Sequence, residues 1–419
     1  MNNIKITNSS LGDGGIANTP LRDRSMISVT EAKEIIDKNI ITLSPVKMQL
    51  HQAAGMVLAE DVYALVNIPA FTQSSMDGYA FSFDDWKKHK SLKIKGEMAA
   101  GSNETFSLSP GNTVRIFTGA PLPAGADTVV MQEKTKIEND DLIIEDENIM
   151  QGLNLRAKGS EIKAGKLALA KETSLMPAAI GFLAGVGITK VLVYPFPSVS
   201  IIVTGNELQQ PGHPLMQGQV YESNSFSLQA ALKQLHISEV KVYKAEDTLE
   251  TVTLVLKEEL FQSDVVFLTG GVSVGDYDFV AAAAAKNGVE KIFHKIKQRP
   301  GKPFFFGKKD SKLVFGLPGN PASVLTCFYE YVEPALKKIA KQKTGLRVMQ
   351  APLSEPFNKA TGLTHFLKGF YDGKKVTTLH AQESYRLSSF ANANCLIKID
   401  EEVTVCEKGE LVEIHLLPV

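Results

Sequence analysis

The sequence predicts a multidomain protein of class α/β plus β: a central α/β domain built on a parallel-type sheet, a β-rich domain before it and a small β domain after it. Three observations predict this. At 419 residues the chain exceeds one compact core and should divide into about two to four domains. From residue 198 to about 345, short apolar runs alternate with helix-length runs, the succession of a parallel sheet covered by helices. On either side, residues 47–164 and 346–419 read as short strands and turns without that alternation.

In chain order, residues 1–25 are rich in Asn, Ser, Gly and Thr with no hydrophobic period, and read as a loose tail. Ser28-Val-Thr-Glu31 is a capping box opening a helix through Ala32, Ile35 and Ile36. Asp77-Gly78 is a turn signal before an alternating strand over 79–83. A second short strand is expected over 141–145. An apolar helix over 176–183 precedes a strand and the linker Pro195-Phe-Pro197. The α/β pattern then gives strands at 199–203, 239–243 and 265–268. Between and after them come helices at 225–235, 248–261 and 279–286, the last closed by Gly288. No internal repeat of solenoid period is present.

Composition excludes several classes. The formal net charge is -1, so no global field favours nucleic acid or a membrane surface, and anion binding must come from a local cluster. Cys327, Cys395 and Cys406 form no CxxC pair, which argues against a cysteine zinc site or a disulfide framework and fits a reducing, cytoplasmic setting. No apolar stretch is long enough to span a bilayer, and no basic start with an apolar core suggests a secretory signal.

Ligands of open parallel sheets bind at the carboxyl ends of the strands. Four such ends have unusual composition: Thr204-Gly-Asn-Glu207, Glu246-Asp247, Gly270-Gly-Val-Ser-Val-Gly-Asp-Tyr-Asp278 and Gly316-Leu-Pro-Gly-Asn-Pro-Ala-Ser323. Each has a structural reading: Asp247-Thr-Leu-Glu250 as a capping box, Asn320 as an N-cap before Pro321, Asp276 or Asp278 as a cap. Together, on one rim, they point to a site. Gly270 and Gly271 let backbone amides approach an anion at a helix N-terminus. Carboxylates beside a phosphate call for Mg²⁺, which bridges the two, and Asp247 and Asp278 are hard oxygen ligands of the right kind. Balancing charge lies in His294-Lys-Ile-Lys-Gln-Arg-Pro-Gly-Lys302. If extended, that run places Lys295, Lys297 and Arg299 on one strand face as an oxyanion site, with Lys302 alongside. No GxGxxG follows a strand, and no GxxxxGK[ST] or G-x-S-x-G elbow is present, so dehydrogenase, P-loop and serine-hydrolase readings are weak.

Five motifs then appear in a familiar order: Ser75-Met-Asp-Gly-Tyr-Ala80, Thr118-Gly-Ala-Pro-Leu-Pro123, the glycine–aspartate stretch 270–278, Pro300-Gly-Lys-Pro303 and Gly316-Leu-Pro-Gly-Asn-Pro321. From about residue 27 to the C-terminus the chain resembles the MoeA family of molybdopterin molybdenumtransferases, whose eukaryotic counterpart is the E domain of gephyrin. The resemblance implies insertion of molybdate into adenylylated molybdopterin, with AMP release and Mg²⁺ dependence. It also implies a homodimer whose cleft lies between the α/β domain of one subunit and the second domain of the other. Four domains follow from it: 26–46 with 165–197, 47–164, a molybdopterin-binding-like 198–345, and a C-terminal β-barrel, 346–419. A molybdopterin adenylyltransferase would be the partner that supplies the substrate.

Carried over residue by residue, Asp77 matches the acidic position of MDGYA and Thr118 the threonine of TGAP. Arg156 and Glu161 match a charge pair, and Glu207 matches the glutamate of GDEL. Asp247 and Asp278 match the α/β-domain aspartates; with Asp77 and Glu207 they are the implied catalytic set, and they are also the implied metal ligands. Gly270, Gly271 and Ser273 form the substrate loop. Lys295 and Arg299 match the basic pair that holds molybdate or phosphate, with Lys302 beside them. Pro318 and Pro321 shape the last loop, and Ser388 or Ser389 matches a C-terminal serine. Asn206 stands where GDEL has Asp, Arg299 replaces a lysine with a planar fork, Ser160 precedes Glu161 where relatives have a Glu-Asp pair, and Glu222 replaces a shorter aspartate. Two alternatives share parts of this pattern: a molybdopterin adenylyltransferase and a gephyrin-like scaffold.

Overall fold

The computed structural model describes residues 26–101, 106–271 and 279–418. The chain forms two compact units, Ser44–Pro195 and a second that joins the segment ending at Leu43 to Phe196 onward.

The second unit is organised by a six-stranded sheet in the order Val240–Ala245, Val199–Thr204, Val265–Thr269, Lys312–Leu317, Pro303–Lys309, Glu290–Lys295. The first four strands run parallel, as the alternating pattern predicts. The sheet is nevertheless mixed, because Pro303–Lys309 pairs antiparallel with both of its neighbours. Pleating sorts each strand onto two faces. Val199, Ile201 and Val203 share a core with Leu228 and Leu232 of helix Asn224–Gln234 and with Phe328 and Tyr331. Ile202, Val266 and Leu268 face Val252 and Leu256 of helix Leu249–Gln262 and Val280 and Ala283 of helix Phe279–Lys286. Full burial of side chains this size contributes about 1.5–3 kcal/mol each.

Helix Val29–Asn39 opens on the expected capping box, with Ser28 Oγ accepting from the Glu31 N–H and Glu31 accepting from the Ser28 N–H. Its apolar stripe, Val29, Ala32 and Ile36, lies in the same core as Val199 and Phe293. The helix thus packs with the α/β sheet rather than with 165–197, because a three-residue apolar stripe needs a large apolar face to cover it. Of that expected segment Val46 does meet 165–197, in strand Val46–Gln49, which pairs with Lys190–Tyr194.

C-terminal strands Arg347–Pro352, Thr364–Tyr371, Cys395–Ile399 and Leu411–Leu416 form a sheet that takes in Gln298–Arg299 at its edge. A bridge from Leu353 to Val376 links its two sides. Phe366, Phe390 and Leu396 belong to the core of the α/β sheet, so this region shares one unit with it.

The first unit holds two cores. A six-stranded sheet between Gly78 and Ile144 carries apolar side chains on both faces. Here Tyr79, Ala80 and Phe81 lie in the expected strand, but Phe83 begins helix Phe83–His89, because Ser82 caps it through the Asp85 N–H. A second core joins Leu50, Leu58 and Val62 to Leu175, Leu183 and Val193. Residues 46–64 therefore pack with the segment after 165 rather than with the strands that follow them.

Candidate active site

Sheet topology brings the expected strand ends to one edge. Ala245, Thr204, Thr269 and Leu317 end four adjacent parallel strands, and Lys295 ends the outermost strand at the same edge, across from Pro303.

Around Gly270 and Gly271 the backbone crosses close over the end of the first strand. Both glycines have positive φ, +85 and +61. A Cβ on Gly270 would lie 2.1 Å from the Thr204 carbonyl oxygen, so any side chain there collides with backbone. A Cβ on Gly271 would lie 3.1 Å from Thr204 Oγ1 and 3.6 Å from Asp247 Oδ1. Both of those oxygens are sealed from solvent and have no hydrogen-bond partner among the described residues. Asp247 is not the helix cap: Thr248 is, accepting from the Thr251 N–H at 3.2 Å. The Asp247 N–H instead donates to Asn206 Oδ1 at 3.4 Å, so the residue in place of the usual GDEL aspartate orients a neighbour. Glu207 is exposed beside it, its carbonyl accepting from Val220. Ser273 and Asp278 lie outside the described residues.

The last loop also departs from the structural reading. Pro321 starts helix Pro321–Cys327, yet Asn320 makes no side-chain cap bond and donates from Nδ2 to Ser384 Oγ at 2.8 Å. Asn320, Ser384, Pro318, Arg299 and Lys302 line one cleft of about 520 Å³. Arg299 and Lys302 are exposed to it. Ser388 and Ser389 do not line it; Ser389 Oγ donates to the Ala381 carbonyl, and Ser388 is exposed elsewhere on the loop. The serine that meets the last loop is Ser384. Asn224, 8% exposed, joins the two parts of the site, donating from Nδ2 to the Gly319 carbonyl at 2.8 Å and to Thr269 Oγ1 at 3.3 Å.

Lys295, Lys297 and Arg299 do not share a strand face. The strand breaks at buried Ile296, Lys297 pairs with Glu401 at 3.8 Å, and Gln298–Arg299 joins the C-terminal sheet opposite Thr364 and His365. Gln298, fully buried, enforces the break: its amide donates to the Pro300 and Gly301 carbonyls, and its carbonyl accepts from the Tyr331 hydroxyl. The field near Arg299 is positive. Burial first, then Lys359 and Arg299, push His365 down to about 4. The three cysteines are buried; burial raises the Cys327 thiol far above its ordinary value and pushes Cys395 up to about 12.

In the Ser44–Pro195 unit, the two expected motifs meet. Asp77 Oδ1 accepts from the Thr118 N–H at 2.7 Å and its hydroxyl at 2.8 Å, and these bonds, the backbone one first, hold the exposed carboxyl below its ordinary range. Backbone bonds Ser74–Ala120, Gly119–Ser74 and Ser75–Asn154 tie this corner together, and Arg156 pairs with Gln73 beside it. Arg156 and Glu161 are both exposed. Arg115, which the motifs did not flag, adds positive charge near Asp77.

Comparison with known proteins bears on this geometry. Residues 27–187 match the MoeA N-terminal region (domain I and II), 200–338 a probable molybdopterin binding domain, and 350–417 the MoeA C-terminal region (domain IV). A molybdopterin molybdenumtransferase of Haemophilus influenzae is 35% identical over 88% of this chain and 94% of its own length. The chain belongs to the MoeA family. A molybdopterin molybdenumtransferase of Staphylococcus epidermidis is 33% identical over 94% of this chain and 96% of its own. A solved molybdopterin biosynthesis MoeA protein of Pyrococcus horikoshii, 30% identical, superposes with a TM-score of 0.78 over 93% of this chain and 99% of that one. The boundary between the compact units, Pro195–Phe196, falls between the first two matched regions, as expected where a family joins separate folding units. Among the described residues no helix is long and apolar enough to cross a membrane.

Proposed function

We propose that this MoeA-family chain is a molybdopterin molybdenumtransferase that inserts molybdenum into adenylylated molybdopterin, releases AMP, depends on Mg²⁺ and works as a cytoplasmic homodimer. One observation carries the reading: an unsatisfied carboxylate oxygen on Asp247 and a cationic cleft at Arg299 and Lys302 border the same sheet edge, joined through Asn224. Such an edge suits a substrate with a phosphate group at one end and an oxyanion at the other.

The residues fit a hard cation. Asp247 Oδ1 is buried without a donor, and Gly271 leaves a cradle beside it that a Cβ would fill. Asp247, with Asp278, would hold Mg²⁺, and Glu207 lies on the next loop. When bound, the cation neutralises charge on the pyrophosphate and on the departing AMP. The chain's own groups do the rest. Gly270 and Gly271 leave room for close approach of the pyrophosphate. Arg299, as a bidentate fork, and Lys302 hold the molybdate dianion, with Lys295 on the adjacent strand end. Burial raises all three cysteine thiols, which disfavours a protein thiolate; the two Mo–S bonds form to the pterin dithiol, whose two protons leave with one displaced oxide as water, and a second water cleaves the anhydride to release AMP. In the Ser44–Pro195 unit, Asp77, its carboxyl held below the ordinary range by Thr118, and exposed Arg156 and Glu161 are the polar groups on offer. Positioning and charge stabilisation of this kind account for large rate effects.

The test supplies purified protein with adenylylated molybdopterin, Mg²⁺ and molybdate. Molybdate-stimulated AMP release supports the reading. Consumption of ATP with unadenylylated molybdopterin and no molybdate dependence replaces it with an adenylyltransferase. Inactivity in both assays leaves a gephyrin-like scaffold.

A further inference from the structure

Asp247 is only half of a feature at the head of the sheet. Thr204, at the end of strand Val199–Thr204, is 2% exposed, and its hydroxyl has no partner among the described residues. Buried hydroxyls are ordinarily bonded, and buried Ser200, on the same strand, meets Glu259 and Ser263. Thr204 Oγ1 and Asp247 Oδ1 are the two oxygens nearest the place a Cβ on Gly271 would occupy, 3.1 and 3.6 Å away. Neither oxygen bonds the other. The Asp247 N–H donates to Asn206 Oδ1 at 3.4 Å, and no ion pair to Asp247 forms among the described residues.

A carboxylate oxygen only accepts, and a hydroxyl oxygen has lone pairs to give. Two such oxygens beside one glycine are satisfied together by a hard cation, which takes both as ligands. A threonine hydroxyl is a neutral oxygen of the hard kind that such a cation takes beside a carboxylate. We propose that Thr204 Oγ1 is a ligand of the divalent cation that Asp247 holds, the two oxygens gripping it across Gly271. The inference rests on the Mg²⁺-dependent reading above and adds a residue to it. It also gives Gly271 a second reason to lack a side chain: a Cβ would occupy the cradle.

The experiment compares Thr204→Val, which keeps the shape and loses the oxygen, with Thr204→Ser, which keeps the oxygen. Full-length chains are titrated with Mn²⁺, followed by its paramagnetic resonance signal and by competition with Mg²⁺, and melted in parallel without metal. The wild-type chain is expected to bind Mn²⁺. Thr204→Val should weaken binding by about tenfold or more, Thr204→Ser by no more than about twofold. Because Val removes an unpartnered buried hydroxyl, its metal-free melting temperature should hold or rise, which separates ligand loss from misfolding. Thr204→Val binding Mn²⁺ as the wild type does overturns the assignment, as does a rise in the substrate KM alone, which would make the hydroxyl a substrate contact. Failure of the wild type to bind Mn²⁺ with AMP release intact sinks the Mg²⁺ reading itself, a different result from either.

Discussion

Asp77 and Asp247 sit at comparable corners of the two units and are treated in opposite ways. Asp77 is exposed and already satisfied, held by the Thr118 N–H and hydroxyl. Asp247 is half-buried, and one oxygen is satisfied by nothing among the described residues. A buried acceptor without a donor costs about 1–3 kcal/mol, and more when charged. The fold bears that cost at Asp247 and avoids it at Asp77. The difference teaches where a ligand is needed: Asp77 is a finished, preorganised anion, whereas Asp247 is completed by what binds.

The contrast can be broken by substitution. Asp247→Asn should have the largest effect, lowering the rate of AMP release by about 10²–10³-fold while the melting temperature holds or rises, since it removes an uncompensated charge. Rate assays and melting on one preparation check both. A fall in stability matching the fall in rate would make Asp247 structural. Lys302→Ala comes next, with the KM for molybdate raised about tenfold to a hundredfold and AMP release at saturating molybdate nearly unchanged. Steady-state kinetics against molybdate separate the two parameters.

Asn224→Ala tests the link between the two parts of the site. It removes the bonds to the Gly319 carbonyl and Thr269 and should cost about 1–3 kcal/mol in denaturant unfolding. It should also loosen the cleft, raising the KM for molybdate without touching Lys302. The smallest effect belongs to Thr118→Val. The backbone bond remains and the hydroxyl bond goes, so the Asp77 pKa should rise part of the way to its ordinary value. The sign follows from linkage: a carboxyl lowered in the folded state stabilises at neutral pH and loses that contribution as pH falls through its folded pKa. The Asp77 carboxyl titration, read by carbon NMR, should therefore move to higher pH, carrying the acid limb of the rate profile with it.

Much of the α/β unit was legible because its signals are local. Apolar runs at 199, 240 and 265, the capping box at Ser28 and the helix closed by Gly288 depend on neighbours a few residues away. Common strand direction then put the ends on one edge. What was not legible depends on distant partners. Asn320 looks like a cap until Ser384, 64 residues on, claims its side chain. Lys295 to Arg299 looks like one strand until Tyr331 and the 300–301 carbonyls pull Gln298 inward. The amphipathic helix at 29–39 carried no sign of which core would take it. Thr204 reads as an ordinary strand residue, and only the absence of a bonding partner marks it. The motifs pointed to Ser388 or Ser389, whereas the serine lining the cleft is Ser384, which only its bond to Asn320 reveals.

The most direct test of the central claim is to count products. Wild-type protein, adenylylated molybdopterin, Mg²⁺ and molybdate are mixed, and AMP released is compared with molybdenum bound to the pterin. Equal amounts of the two, both lost in Asp247→Asn, are expected if the sheet edge couples anhydride cleavage to metal insertion. AMP released in full with no molybdenum transferred would contradict that coupling and reduce the site to a hydrolase of the adenylylated pterin.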